Sequence, residues 1–187
     1  LIIVDDGSPL DTSFLKPYAD MYVKHSENRG ISEAWNTGKN KAPTEYVAIV
    51  NDDVKVPFKW LETLMEGFSD NTTGVTAPMQ GGPHVKPQKM GTTLLTPNHK
   101  FYPGYCFMLK KSRFFEDFDT QFRTNCGDTD YWHRIKEKGL SCMRVGLSVY
   151  HKEGGVLHGM DYDAISKHSL ELFEKKWGFH PQEEYYS

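Results

Sequence analysis

Acidic residues gather where three short stretches of the chain end: Asp5-Asp6 after Leu1-Ile2-Ile3-Val4, Asn51-Asp52-Asp53 after Tyr46-Val47-Ala48-Ile49-Val50, and Asp128-Thr129-Asp130 after Gly127. In an open α/β sheet, ligands bind at the C-terminal ends of the strands. Carboxylates there can hold a hard divalent cation that also touches phosphate oxygens. The same residue types favour turns by bonding their own backbone, so DDGS and NDDV each carry a plainer reading. Helix N-capping accounts for one Asp of the third group. A carboxylate placed over a substrate hydroxyl could instead act as a general base. His151 closes the apolar run Leu147-Ser148-Val149-Tyr150. Neutral imidazole suits Mn²⁺ and similar ions, although a lone His is more often a satisfied structural residue. The HExxH, Gly-x-Ser-x-Gly and P-loop patterns do not occur, which argues against zinc hydrolase, serine hydrolase and NTPase chemistry.

The elements that must position these groups are legible in the hydrophobic periodicity. Strands are expected at Leu1 to Val4, Met21 to Val23, Tyr46 to Val50, Gly74 to Ala77, Tyr105 to Leu109 and Met143 to Val149. Ile31, Ala34, Trp35 and Gly38 share one helical face, and Trp60, Leu61, Leu64, Met65 and Phe68 share another. A third helix is predicted from about Asp128 to Lys138, ending at Gly139, and a fourth carries Ile165, Leu172 and Phe173. This alternation predicts an α/β fold with a mixed, mostly parallel sheet flanked by helices. Between Met79 and Lys100 the chain shows Gly and Pro without periodicity, which predicts a long loop of the kind that serves as a lid.

At 187 residues, with 38% hydrophobic and 25% charged residues, the chain fits one globular domain over residues 1–187. Its formal net charge of −3 and lack of a basic run make nucleic acid a poor partner. Apolar runs stay far short of the ~20 residues a membrane-spanning helix needs, so no span is expected. Three widely spaced cysteines, Cys106, Cys126 and Cys142, form no CxxC pair. That pattern points to a reducing compartment and a cytoplasmic location.

Taken in order, LIIVDDGSPLD, ENRGISEAWNTG, VAIVNDDVKVPFKWLETLM, YPGYCFMLKKSRFFEDFDTQF, CGDTDYWHRIKEKGL and VYHKEGG make the chain resemble the family 2 glycosyltransferases. These are nucleotide-sugar-dependent enzymes of the glycosyltransferase A fold. The resemblance covers residues 1 to 158 or so and implies a Rossmann-like α/β sheet. Asn51-Asp52-Asp53 stands where the family writes its DxD motif, and CGDTD stands at the segment bearing the catalytic base.

Carried over position by position, the resemblance implies that Asp5 contacts the donor nucleoside and that Asn51 and Asp52 lie beside the donor. It makes Asp53 and His151 metal ligands and Asp128 the general base. Trp35 occupies a position where the family often has Arg. The implied cofactor is Mn²⁺ or Mg²⁺, with a nucleoside-diphosphate sugar as donor and a carbohydrate, lipid-linked or protein glycan as acceptor. The implied reaction is inverting and, without a QxxRW motif, non-processive. The family's first strand and helix, which precede the VDDGS strand, are not among these residues. Two other readings stand beside it: a non-catalytic sugar- or nucleotide-binding module on the same fold, and a sugar nucleotidyltransferase.

Overall fold

The computed structural model describes residues 1–89, 104–152 and 162–181. Two strands open the chain, β1 (Ile2–Asp5) and β2 (Met21–Lys24), and they pair in parallel with Asp5 opposite Lys24. A 3₁₀ segment, Ser13–Tyr18, lies in their connection. Helix α1 (Ile31–Lys41) follows and buries Ser32, Trp35, Asn36 and Lys39, the i, i+3, i+4, i+7 spacing of one helical face.

The main sheet is built from β3 (Tyr46–Val50), β4 (Val54–Lys55), β5 (Thr73–Gly82), β6 (Gln88–Lys89), β7 (Cys106–Lys110) and β8 (Ser141–His151). Its order is β3-β7-β5-β8-β4, with β6 paired to β8 off that path. The longest pairing, β5 with β8, is parallel, whereas β7 runs against both of its neighbours. Helices α2 (Trp60–Glu66), α3 (Gly127–Glu137) and α4 (Tyr162–Trp177) complete the architecture. This is the mixed α/β fold expected.

β7 shows why the sheet is covered on both faces. Alternate side chains of a strand point to opposite faces. Phe107 and Leu109 join Trp35, Val75, Trp132 and Ile135 in one core, and Cys106 and Met108 join Leu64, Phe68, Val145 and Leu147 in the other. Four consecutive apolar residues are the mark of a strand buried on both sides. Trp35 therefore has a packing role, with its ring 5.5 Å from Phe107 and 5.0 Å from Phe118. The FDTQF segment is laced to α1 by a reciprocal pair: Asn36 Nδ2 donates to the Phe118 carbonyl, and the Phe118 N–H returns a bond to Asn36 Oδ1, both at 2.8 Å.

Two expectations change. Residues 79–82 belong to β5, and Gln88–Lys89 form β6, so of the described part of the expected lid only residues 83–87 form a turn and irregular connection. The cause is β8, eleven residues long, which offers backbone partners to Gln80–Gly82 on β5 and to β6. Residues 90–100 of that stretch lie outside the described residues. The third helix begins at Gly127, one residue before its expected start, and Asp128 does not cap it. The N-cap residue is Cys126, at φ 65°, with no side-chain capping bond. No helix among the described residues is long and apolar enough to cross a membrane.

Candidate functional site

Asp53 and His151 meet at one end of the main sheet. Val54 of β4 lies opposite His151 of β8, which brings the preceding Asp53 beside the imidazole, and the Lys152 N–H donates to the Asp53 carbonyl at 3.1 Å. Nε2 of His151 lies 3.3 Å from Asp53 Oδ1. That oxygen is enclosed and accepts no hydrogen bond. A buried carboxylate oxygen without a donor is costly, and a cation shared with the adjacent imidazole nitrogen would satisfy it. The donor set thus fits a divalent metal. Among the described residues no cluster of three or more ligating side chains forms, so other oxygens would have to complete the coordination. Asn51 and Asp52 form the turn leading into β4. Asp52 is exposed there, and the Asn51 N–H donates to the Tyr105 carbonyl at 2.9 Å.

Asp128 packs against Gly104, the residue before Tyr105. A Cβ built on Gly104 would fall 2.4 Å from Asp128 Oδ2, so only glycine allows this approach. The Asp128 carboxylate accepts the Thr129 N–H at 2.8 Å and the backbone N–H of Gly104. Burial pushes its pKa above the ordinary carboxylate range and outweighs these donors. A carboxylate so placed takes up a proton more readily than a free one. Gly104 and Tyr105 therefore join the two chemical halves. Gly104 seats Asp128, while Tyr105 holds the Asn51 turn by its carbonyl and stacks its ring on His151.

Asp130, two residues on, has a different task. Its buried carboxylate takes Arg134 Nε at 3.0 Å, Trp177 Nε1 at 3.0 Å and Lys176 Nζ at 2.7 Å. These bonds fasten α4 to α3. With both oxygens engaged by Arg134, Lys176 and Trp177, Asp130 is no candidate for the base.

Asp5 sits at the end of β1, in the two-stranded sheet, and its carboxylate is already engaged. It accepts the Ser8 N–H at 2.7 Å, Lys24 Nζ at 2.8 Å, Tyr22 Oη at 3.1 Å and the hydroxyl of Thr12. Burial acts to raise its pKa, but Lys24 and the other donors prevail and hold the carboxyl far below the usual range. Asp6, whose role the sequence left unassigned, ties the next turn in place. Its carboxylate takes His25 Nδ1 at 2.7 Å, the Arg29 N–H at 3.0 Å and the Gly30 N–H at 2.8 Å. Gly104 and Tyr105 were also missed as site residues. The YPGY tetrapeptide was their one signal, and it read as the start of a strand and of the segment YPGYCFMLKKSRFFEDFDTQF, with no role for either residue.

Solved structures share the fold that carries these residues. The mannosyltransferase PcManGT from Pyrobaculum calidifontis, in complex with GDP-Man and Mn²⁺, superposes with a TM-score of 0.68 at 17% identity, over 95% of this chain and 55% of its own. GalNAc-T7 with UDP, GalNAc and Mn²⁺ gives 0.65 at 17% identity, over 81% of this chain and 37% of its own. The shared fold is the glycosyltransferase A fold. In sequence, residues 1–127 match the model of glycosyl transferase family 2, and the chain belongs to that family. The Pre-mycofactocin glycosyltransferase of Mycobacterium tuberculosis is 37% identical over 82 residues, which is 42% of this chain and 17% of the relative. The chain thus spans about a sixth of the length of the curated relatives it matches.

Proposed function

We propose that the chain carries the donor site and catalytic base of a nucleotide-sugar-dependent glycosyltransferase, inverting and non-processive, that acts on a hydroxyl of a carbohydrate, lipid-linked or protein glycan acceptor. The observation that carries this reading is the junction at Gly104-Tyr105, where Gly104 meets Asp128, a half-buried carboxylate of raised pKa, and Tyr105 stacks on His151 of the Asp53–His151 pair. A binding module has no use for a carboxylate held ready for proton uptake. The metal seen with the two superposed transferases suits the Asp53–His151 donor set.

Asp53 and His151 would hold Mn²⁺ or Mg²⁺, which when bound stabilises negative charge developing on the leaving diphosphate. Asp128 would take the acceptor hydroxyl proton as that oxygen attacks the anomeric carbon from the face opposite the leaving group, which inverts the centre. Asn51 and Asp52 would line the donor beside the metal. Asp5 would contact the donor nucleoside by exchanging one of its present partners.

Calorimetric titration with UDP and with GDP, each with and without Mn²⁺, tests the donor site. The expected result is tighter nucleotide binding with Mn²⁺, lost in Asp53→Ala. Equal affinity with and without the ion would refute the metal-dependent part of this reading.

A further inference from the structure

We infer that Tyr105 is a positioning residue that holds the His151 imidazole in the orientation aimed at Asp53; the inference rests on the metal-binding reading above. His151 is the last residue of β8, and on the Asp53 side its backing is β4, a strand of two residues. So short a pairing leaves the side chain free to change rotamer unless something packs against the ring. Tyr105 does so, with ring centroids 4.1 Å apart and planes 18° from parallel.

The Tyr105 ring is itself stopped at its hydroxyl end by Gly81. A Cβ on Gly81 would lie 2.2 Å from Tyr105 Oη and 2.7 Å from Cζ, so the phenol occupies the space that a side chain would need. Gly81 pairs with Val149, two residues before His151, so the stop and the imidazole belong to adjacent strands in fixed register. On the other side the Tyr105 carbonyl accepts the Asn51 N–H. Tyr105 therefore ties the imidazole to the turn that carries Asp53, and partners that orient a ligating histidine typically govern metal affinity by ~10–100-fold.

The test uses Mn²⁺ with UDP, or with GDP if UDP does not bind, and reads two quantities. One is Mn²⁺-dependent nucleotide affinity, and the other is the ¹⁴N modulation that a coordinated imidazole imposes on the Mn²⁺ electron spin echo. Wild type should show the modulation and His151→Gln should lose it. Tyr105→Phe, which keeps the stacked ring, should resemble wild type. Tyr105→Leu and Gly81→Ala should each weaken the modulation and lower affinity by ~10–100-fold. Gly81→Ala alters no group that touches the metal, so a shared effect cannot arise from lost chemistry at position 105. Full modulation and affinity in both Tyr105→Leu and Gly81→Ala would overturn the inference. Mn²⁺-strengthened binding without ¹⁴N modulation in wild type would also overturn it while leaving Asp53 as a ligand. No effect of Mn²⁺ at all would remove the metal-binding reading, and the inference with it.

Discussion

Asp128 and Asp130 lie two residues apart on α3, yet the same substitution should move them in opposite directions. Asp128→Asn removes a carboxylate that burial penalises in its charged form. Because folding raises the pKa of this group, it brings no penalty below the ordinary carboxylate range and becomes destabilising as pH rises through its folded value. Asparagine is neutral throughout, so the variant should melt at or above the wild-type temperature at pH 7. Transfer should nevertheless fall by ~10²–10⁴, the usual contribution of a positioned base.

Asp130→Asn reverses both outcomes. It strips the buried counter-charge from Arg134 and Lys176, although Arg134 keeps Glu116 at 3.1 Å and Lys176 keeps Asp119 at 2.6 Å. Breaking a buried pair from one side costs about 3–5 kcal/mol. For a chain of this size each kcal/mol lowers the melting temperature by ~2–4 °C, so a fall of roughly 6–20 °C is expected. The fraction that remains folded should transfer sugar at close to the wild-type rate. Thermal melts paired with product formation from a panel of UDP- and GDP-sugars decide the matter. Asp128→Asn with undiminished transfer, or Asp130→Asn with an unchanged melting temperature, would refute the division of roles.

Folding lowers the pKa of Asp5, so its stabilising contribution is present at neutral pH and fades as pH falls below ~5 toward the depressed folded value; urea midpoints should decline over that interval in wild type and less steeply in Asp5→Asn, which starts from a lower value at pH 7. Gly104→Ala forces a methyl group against Asp128 Oδ2 and should lower kcat by up to ~10²-fold while leaving donor KM unmoved, read by steady-state kinetics at saturating acceptor.

Much of this was written in local sequence. β3 and the Asn51-Asp52-Asp53 turn were readable because a run of five strand-forming residues ends abruptly in turn formers, and β3 was bounded correctly at both ends. β4 and β6 were not readable, since two residues carry no period and owe their state to β8. The last residues of β5 were hidden by Pro78 and the glycines after it, which read as loop until a partner strand is known. At the site, residue type and position marked the Asn51-Asp52-Asp53 and Asp128-Thr129-Asp130 groups and His151 as candidates beside plainer turn, cap and structural readings, and it was the resemblance to the family 2 glycosyltransferases that pointed to Asp53, Asp128 and His151. Telling Asp128 from Asp130 required Trp177, 47 residues further along, and no local pattern encodes that contact. Gly104 was equally silent, because its value lies in what a side chain there would displace.

The burial of the three cysteines has a consequence for their reactivity. Cys106, Cys126 and Cys142 are all free and buried, and burial pushes the Cys106 and Cys126 thiols up to about 12, with Cys142 moved in the same direction. Since the thiolate is the reactive form, an alkylating reagent meets a competent sulfur only when the surrounding structure opens. The three positions open by different routes. Cys106 begins β7 in the middle of the sheet, Cys142 lies on β8 under the longest strand pairing, and Cys126 stands just ahead of α3 in a left-handed conformation. Cys126 packs with Phe122 and with Phe173 of α4, so its exposure needs α4 to part from the start of α3, whereas Cys106 and Cys142 wait for the sheet itself to part. The chain thus carries native reporters of local opening, one of them two residues from the proposed base.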